Sequence, residues 1–156
     1  RADLFYLQHS FAVDVVYNFS GSAAAQLRKN KKIHIAHPSL AIALMRYPKT
    51  VAQSPDMMGR YAESMVFQHA KLLSDRVSFW RTPQKEEVDL IIGSSLPVEV
   101  KYKQSIDSKD MKPLLKWMDK YHARKGIIVT RDLFDTKTIG GKTITFVPLW
   151  LFLLLV

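Results

Sequence analysis

Residues 87–103, with the sequence EVDLIIGSSLPVEVKYK, decide the fold that we predict for this chain. Two short apolar runs flank the turn sequence Gly93-Ser94-Ser95. The first run, Val88 to Ile92, is rich in β-branched residues, and the second, Leu96 to Tyr102, alternates between apolar and polar residues. This pattern predicts two strands joined as a hairpin.

Charged residues interrupt both predicted strands. Because successive strand side chains point to opposite faces, we expect Asp89 and Ile91 on one face of the first strand and Val88, Leu90 and Ile92 on the other. The charged face of the second strand would hold Glu99, Lys101 and Lys103. A carboxylate from each strand can then meet its partner beside an ammonium group. Two poorly solvated carboxylates need a cation between them, and Mg²⁺ or Mn²⁺ with oxygen ligands is the usual one.

The same charges have a simpler interpretation, which the sequence leaves open. Glu99 and Lys101 can form a weak ion pair on a solvated strand face. Asp89 favours a functional interpretation, because a charge rarely interrupts an apolar run without a partner or a task.

Length and composition limit the possible functions. A chain of 156 residues favours one domain with a real core. Its formal net charge of +9 suggests a polyanionic partner, nucleic acid first and an anionic membrane second. The absence of cysteine excludes disulfides, zinc–thiolate sites and cysteine nucleophiles. We find no signal peptide and expect a cytoplasmic protein; because the chain begins at Arg1, we expect it to be part of a longer one.

The elements around the hairpin form a recognisable order. Residues 57–74 predict a helix on which Glu63 lies inside the apolar arc, near its edge, either as a functional carboxylate or as a partner of solvent or of a basic neighbour. Residues 77–81 predict a strand, residues 111–121 a helix with Asp110 as N-cap and Pro113 in its first turn, and residues 126–130 a strand. The order is therefore helix, three strands, helix, strand.

The two ends of the chain are less regular. Residues 11–17 predict a strand or a helix end, residues 33–36 a strand, residues 37–47 a helix and residues 48–55 a loop. The apolar run at residues 146–156 is too short to span a membrane. We interpret it as a buried strand or helix, with a membrane or partner-docking tail as the alternative.

Several lysines and arginines are candidates for phosphate contacts, with ordinary solvated surface as the alternative interpretation. They are Arg28, Lys29, Lys31, Lys32, Lys103, Lys112, Lys116 and Lys120. On the helix at 111–121 the last three share a face opposite a core stripe of Met111, Leu114, Leu115 and Met118. His34 and His37 fit no trusted metal motif, so we expect them to be structural.

The order of elements and charges resembles the restriction-endonuclease-like, PD-(D/E)XK nuclease superfamily. Glu63, Asp89, Glu99 and Lys101 match its helix glutamate, its metal aspartate and its (D/E)xK pair. The residue before the aspartate is Val88 instead of proline. The resemblance implies a restriction-endonuclease-like α/β core at residues 57–156 with an N-terminal α/β extension at residues 1–56, together forming one domain.

A closer resemblance covers nearly the whole chain. The segments KKIHIAHPSL, GRYAESMV, FWR, EVD, PVEVK and VPLW look like motifs of the C-terminal domain of archaeal and bacterial AAA-type ATPases. This resemblance implies that an ATPase and a winged-helix module lie upstream. ATP would bind only there, because the chain contains no GxxxxGK[ST] motif.

The resemblance to the nuclease superfamily implies a DNA nuclease, whereas the function of the ATPase C-terminal domain is largely unassigned. Asp89, Glu99 and the Val100 carbonyl would bind Mg²⁺ or Mn²⁺, with Glu63 as a further ligand or a water-mediated partner. Lys101 would orient the attacking water or stabilise negative charge. The alternative is an inactive nucleic-acid-binding or protein-docking module with the nuclease fold. An adaptor associated with a toxin or a transporter is a third interpretation.

Overall fold

The computed structural model describes residues 2–44 and 53–155, and within them it shows a mixed α/β fold. The N-terminal part contains α1 (Ala2–His9), β1 (Val13–Tyr17), α2 (Ala23–Arg28), β2 (Lys31–Ile35) and α3 (Pro38–Ala43). The remainder contains α4 (Pro55–Leu73), β3 (Val77–Arg81), β4 (Glu87–Ile92), β5 (Leu96–Lys101), α5 (Ser108–Lys120), β6 (Lys125–Thr130), β7 (Asp135–Ile139), β8 (Lys142–Pro148) and α6 (Leu149–Phe152).

The main sheet has six strands in the order β3-β4-β5-β6-β8-β7. Its pairs are antiparallel except for β5–β6 and β6–β8, which are parallel. The predicted order of helix, three strands, helix and strand is confirmed by α4 to β6. Strands β1 and β2 form a separate antiparallel pair, which we call the N-terminal hairpin.

The two faces of the main sheet are covered by different helices. On one face α4 buries Ala62, Val66, Phe67 and Ala70 against the strands. On the other face α5 buries Met111, Leu114, Trp117 and Met118. Leu115, which we predicted in the α5 core stripe, is only half-buried, and Trp117 takes its place. Apolar burial on both faces is the main source of stability for a sheet of this kind.

The predicted β4–β5 hairpin is confirmed, but its expected pattern of faces is wrong. Strand β3 changes register against β4, because Ser78 pairs with Ile91 whereas Trp80 pairs with Val88. A β-bulge at Asp89 and Leu90 therefore adds one residue to β4, and a one-residue shift exchanges the two faces. Two sets of β4 side chains result: Leu90 and Ile92 pack on the α4 side, and Val88 and Ile91 pack on the α5 side.

The start of α5 also differs from the prediction. The N-cap is Asp107, whose Oδ1 accepts the backbone N–H of Lys109 at 2.8 Å and that of Asp110 at 3.1 Å. Asp110 completes a capping box by accepting the N–H of Asp107 at 2.8 Å. Pro113 therefore lies inside the helix, beyond the first turn where we expected it.

The remaining differences lie in the outer parts of the chain, where strand β7 was not predicted. Helix α2 was not predicted; Ser22 caps it by accepting the N–H of Ala25 at 3.3 Å. The predicted helix at 37–47 is described only as α3, and the rest of it, like most of the predicted loop at 48–55, lies outside the described residues. At the C-terminus Phe152 is buried, whereas Leu154 and Leu155 are exposed.

The described part of the chain contains no helix with the length and apolar character needed to cross a membrane.

Candidate functional site

Two predicted site residues face each other where β4 and β5 separate. The described β4–β5 pairing runs from Ile92–Leu96 to Leu90–Val98, and Asp89 and Glu99 lie one position further along. There each carboxylate accepts a hydrogen bond from a backbone N–H of the neighbouring strand. The Val100 N–H donates to Asp89 Oδ2 at 2.8 Å, and the Asp89 N–H donates to Glu99 Oε2 at 3.3 Å. The β4–β5 pairing therefore ends just where the two acidic side chains lie.

Both carboxylates are poorly solvated. Burial and the nearby charge of Glu63 together raise the pKa of Asp89 to about 6, against the opposing charge of Lys32. Burial likewise raises the pKa of Glu99 to about 8, with the charge of Asp89 acting in the same direction and Lys101 acting against it. Two close, desolvated carboxylates create a demand for positive charge. This demand is the main electrostatic property of the site.

Lys101 supplies one of the cations. Its Nζ lies 2.5 Å from Glu99 Oε1. Burial by itself lowers the pKa of Lys101, but the charge and hydrogen bond of Glu99 outweigh it and the net shift is upward. Lys101 is therefore an ammonium group at neutral pH, fixed beside the buried glutamate as the (D/E)xK resemblance implies.

Lys32 supplies the other cation, in a role that we did not predict. Its Nζ lies 2.9 Å from Glu63 Oε1 and 3.9 Å from Asp89 Oδ1, and it is also paired with Glu87. Burial lowers the pKa of Lys32, but the charges of Glu63 and Asp89 outweigh this effect and the net shift is upward. We predicted Lys32 as a phosphate contact, and it instead lies among the carboxylates.

The N-terminal hairpin turns Lys32 toward α4, and the sequence pattern gave no signal for this, because the apolar residues Ile33 and Ile35 are the exposed ones. Side chains of β2 alternate between exposed and half-buried, with Lys32 and His34 on the half-buried face. The His34 ring stacks on Phe67 of α4 with their centroids 4.5 Å apart. Because Lys32 shares that face, it must also point toward α4, where Glu63 lies. The structural role expected for His34 agrees with this contact.

Glu87 is a second residue that sequence reasoning missed. One carboxylate oxygen pairs with Lys32, and the other lies 3.3 Å from Arg81 Nε on the adjacent strand. Four side chains, Glu63, Lys32, Glu87 and Arg81, thus form a row of alternating charge. Glu87 opens β4 and faces Arg81 in the β3–β4 register, so hairpin pairing with β3 was the signal that could have identified it.

An open cleft of about 380 Å³ exposes part of this cluster. We call it the carboxylate cleft, and its functional walls include Glu63, Asp89, Val100, Lys101 and Lys103. Glu99 lies behind this surface and is only 3% exposed. Three of the four predicted catalytic residues therefore face one cleft, and the fourth contacts two of them.

The donor chemistry of the carboxylate cleft suits a hard divalent cation. Among residues 2–44 and 53–155, no three Asp, Glu or His side chains are grouped so that they could hold a metal ion. Lysines take up positions beside these carboxylates, because Lys32 contacts Glu63 and Asp89 while Lys101 pairs with Glu99. The Lys32 ammonium nevertheless acts as a stand-in cation on oxygen donors of the kind that Mg²⁺ prefers. A divalent cation could use these oxygen donors only if Lys32 moved away from Glu63 and Asp89.

The other predicted phosphate contacts form no ion pair with Glu63, Asp89 or Glu99, although Lys103 lines the carboxylate cleft. Lys103 pairs with Asp110 at 2.7 Å, and Lys116 pairs with Glu86 at 2.5 Å. Lys120 lies over the Trp80 ring at 5.7 Å from its centroid. The side chains that remain exposed are Arg28, Lys29, Lys31, Lys103, Lys112, Lys116 and Lys120. All are accessible to a polyanion, and surface pairs such as Lys116–Glu86 oppose it only weakly.

We expect Glu99→Gln to change the pH dependence of stability. Because folding raises the pKa of Glu99, the folded protein keeps a proton that the unfolded chain loses, so wild-type stability falls as pH rises to about 8. Glutamine has a neutral amide that does not titrate, so the variant should not lose stability in this way. In EDTA, the free energy of unfolding of the variant, measured relative to wild type, should rise by on the order of 2 kcal/mol as the pH increases from about 5 to about 9.

Chemical denaturation across this pH range measures the effect, with Glu86→Gln as the control. Glu86 lies in the β3–β4 turn with its side chain 33% exposed, so its neutralisation should leave the wild-type pH profile nearly unchanged. If stability varied with pH in the same way for wild type and Glu99→Gln, folding would not raise the pKa of Glu99.

Comparison with known proteins gives one match. A protein-family model with the description Domain of unknown function (DUF4143) matches residues 58–152, more than half of the chain. No curated protein and no solved structure matches. The matched range begins inside α4 and ends at the last residue of α6, so it contains all four predicted catalytic residues but excludes Lys32.

Proposed function

This chain belongs to the family described as Domain of unknown function (DUF4143), and from its site we propose that the domain is a metal-dependent nuclease that hydrolyses phosphodiester bonds in DNA. The observation that carries the proposal is the convergence of Glu63, Asp89 and Lys101 on one cleft, with the buried Glu99 behind them. Charges this poorly solvated are uncommon outside functional sites.

The order and pairing of the elements support a restriction-endonuclease-like core. Helix α4 precedes an antiparallel β3-β4-β5 meander, and α5 then leads to β6, which is parallel to β5. This is the helix, meander, helix and strand arrangement that the resemblance implies. The four proposed catalytic residues all lie in this core, and the N-terminal hairpin adds Lys32 from outside it.

The residues that would hold Mg²⁺ or Mn²⁺ are Asp89, Glu99, the Val100 carbonyl and Glu63. When bound, the metal lowers the pKa of a coordinated water and stabilises charge on a phosphate oxygen. The bulge at Asp89 and the capture of each carboxylate by the opposite strand fix two of the donors in advance. Rigid donors lose little freedom on binding, which favours a defined cation position.

Lys101 has the role of a positioning and charge-stabilising residue. Glu99 holds its ammonium group at the edge of the carboxylate cleft. A fixed ammonium group can orient a water molecule and stabilise negative charge on the phosphorus-bound oxygens. Exposed lysines and arginines around the cleft would hold the DNA backbone without reading its sequence.

The proposed nuclease domain would act together with other modules of the same protein. We infer that the partners are DNA and the ATPase and winged-helix modules of the same protein, in the cytoplasm, with ATP bound only by the ATPase. The resemblance to the C-terminal domain of AAA-type ATPases and the net charge of +9 support these partners.

One observation favours a second candidate function, an inactive nucleic-acid-binding or protein-docking module. Lys32 pairs directly with Glu63 and Glu87 and lies close to Asp89, so its single positive charge is shared among three carboxylates. A permanent ion-pair cluster of this kind would fix the N-terminal hairpin on the sheet and leave no room for a metal.

DNA cleavage distinguishes the two functions. We expect the purified protein to cut supercoiled, branched or single-stranded DNA in Mg²⁺ or Mn²⁺ and to lose this activity in EDTA. Isothermal calorimetry should show Mn²⁺ binding that Asp89→Ala removes. If the protein neither cuts DNA nor binds Mn²⁺, while DNA binding survives Asp89→Ala, the inactive module is the correct function.

A further inference from the structure

A second cleft, of about 440 Å³, adjoins the candidate site. We call it the basic cleft. It lies where the end of β1, the α2–β2 turn and the β3–β4 turn meet. Among the described residues that line it, four are basic and none is acidic: Arg28, Lys29, Arg81 and Lys85, with Asn18 and Asn30 between them. Like charges brought together at a concave surface attract an anion more strongly than the same charges spread apart.

The walls of the basic cleft are fixed by a buried asparagine. Asn18 is only 4% exposed, and its Nδ2 donates to the Arg81 carbonyl at 3.0 Å. Its Oδ1 accepts the Arg81 N–H at 3.3 Å. The Phe19 N–H also donates to the Phe79 carbonyl, at 2.6 Å. These bonds join the N-terminal hairpin to β3 and hold the backbone of Arg81 beside the α2–β2 turn.

The β3–β4 turn places another cation at the rim. Lys85 has a φ of +65°, in the left-handed region that non-glycine residues rarely adopt. Its N–H donates to the Thr82 carbonyl at 3.0 Å, which closes the turn. Strained backbone at a cleft rim is more common at ligand sites than elsewhere.

The basic cleft and the carboxylate cleft are connected by ion pairs. Arg81, on the wall of the basic cleft, pairs with Glu87 at 3.3 Å, and Glu87 pairs with Lys32. Lys32 in turn lies 3.9 Å from Asp89 Oδ1. Only a few side chains therefore separate the two clefts. Successive phosphates of one strand, about 3.4 Å apart along the helix axis, can span such a separation within a few nucleotides.

We propose that the basic cleft binds a backbone phosphate of a nucleic acid strand, and that a phosphodiester a few nucleotides away on the same strand enters the carboxylate cleft. This inference rests on the proposed function, which supplies the second contact. Arg28, Arg81 and Lys85 provide the charge, and Asn30 provides a neutral hydrogen-bonding group. A polynucleotide fits better than a free phosphate, because a single strand uses both clefts and the +9 net charge of the protein.

DNA binding in EDTA tests the proposal without any cleavage. The probe is a fluorescent single strand of about 12 nucleotides, with the matching duplex as a second probe, and the readout is anisotropy over a range of salt concentrations. The variant is Arg28→Gln with Lys85→Gln. The control is Arg76→Gln with Lys125→Gln, which removes the same charge from exposed positions away from the basic cleft.

We expect the double variant to weaken binding of at least one probe by about tenfold and to reduce its salt slope by about 1 to 2. The control should stay near wild type. Equal weakening in both double variants would overturn the proposal, because only total charge would then matter. Pyrophosphate serves as a third probe, and the proposal would also fail if the variant bound it more weakly than wild type but bound both oligonucleotides equally well. If the wild-type protein cut no DNA but bound it more tightly than the double variant did, the nuclease function would be contradicted and the basic cleft would still be supported.

Discussion

Lys101→Ala is expected to slow metal-dependent DNA cleavage by about 100- to 1000-fold, the usual effect of removing one preorganised electrostatic group. Lys101 is the ammonium group that Glu99 holds at the carboxylate cleft. Alanine removes the charge that orients water and stabilises the phosphate oxygens, but it leaves the proposed metal ligands in place. The loss should therefore appear in kcat, whereas the Kd for Mn²⁺ measured by calorimetry should change far less.

Lys103→Ala is the matched control for this prediction. Lys103 also lines the carboxylate cleft, but it pairs with Asp110 at the start of α5, with its side chain 46% exposed. Its removal should reduce DNA affinity slightly and leave kcat near wild type. Equal loss of kcat in both variants would show that Lys101 contributes only general charge. Full cleavage by Lys101→Ala would point to a contaminating nuclease and contradict the mechanism.

Lys32→Met should destabilise the metal-free protein by about 3 kcal/mol at neutral pH, since it leaves partly buried carboxylates without their cation. For a protein of this size that loss corresponds to a fall in Tm of roughly 6–12 °C. Three acidic side chains, Glu63, Glu87 and Asp89, contact the lysine that is removed. Methionine keeps most of the apolar stem, so the effect isolates the charge.

Mn²⁺ should restore much of the stability that Lys32→Met loses. If the lysine is a stand-in for a divalent cation, its removal frees Glu63 and Asp89 to bind one, and Mn²⁺ should raise the Tm of the variant more than that of wild type. Thermal unfolding in EDTA and in Mn²⁺ measures both effects. A variant that is destabilised but insensitive to Mn²⁺ would identify the cluster as a permanent ion-pair network and favour the inactive module.

Lys31→Met provides the control for Lys32→Met. Lys31 is the preceding residue of β2 and is exposed on the opposite face, 5.0 Å from the centroid of the Tyr17 ring. Its substitution removes the same charge without touching the carboxylates. We expect its Tm to stay within a few degrees of wild type in both EDTA and Mn²⁺. A similar loss in both variants would show that net charge, and not pairing with the carboxylates, governs stability.

Local sequence patterns were sufficient to predict most strands of the main sheet. The strand at 77–81 and the β4–β5 hairpin were predicted correctly because strand periodicity and turn residues act over only a few positions. Gly93, with a φ of +64°, occupies the turn position that glycine favours. The α5 cap was misplaced by three residues because Asp107 and Asp110 are both good caps, and only the reciprocal capping box distinguishes them.

The sequence by itself determined the order of the elements and the positions of Glu63, Asp89, Glu99 and Lys101 along them, since these features depend on neighbouring residues. The tertiary structure alone decided how the charges meet. The bulge at Asp89 depends on pairing with β3, and the contact of Lys32 with Asp89 joins strands that are far apart in the chain. Register and long-range ion pairs are set by the packing of whole elements, for which a local pattern carries no signal.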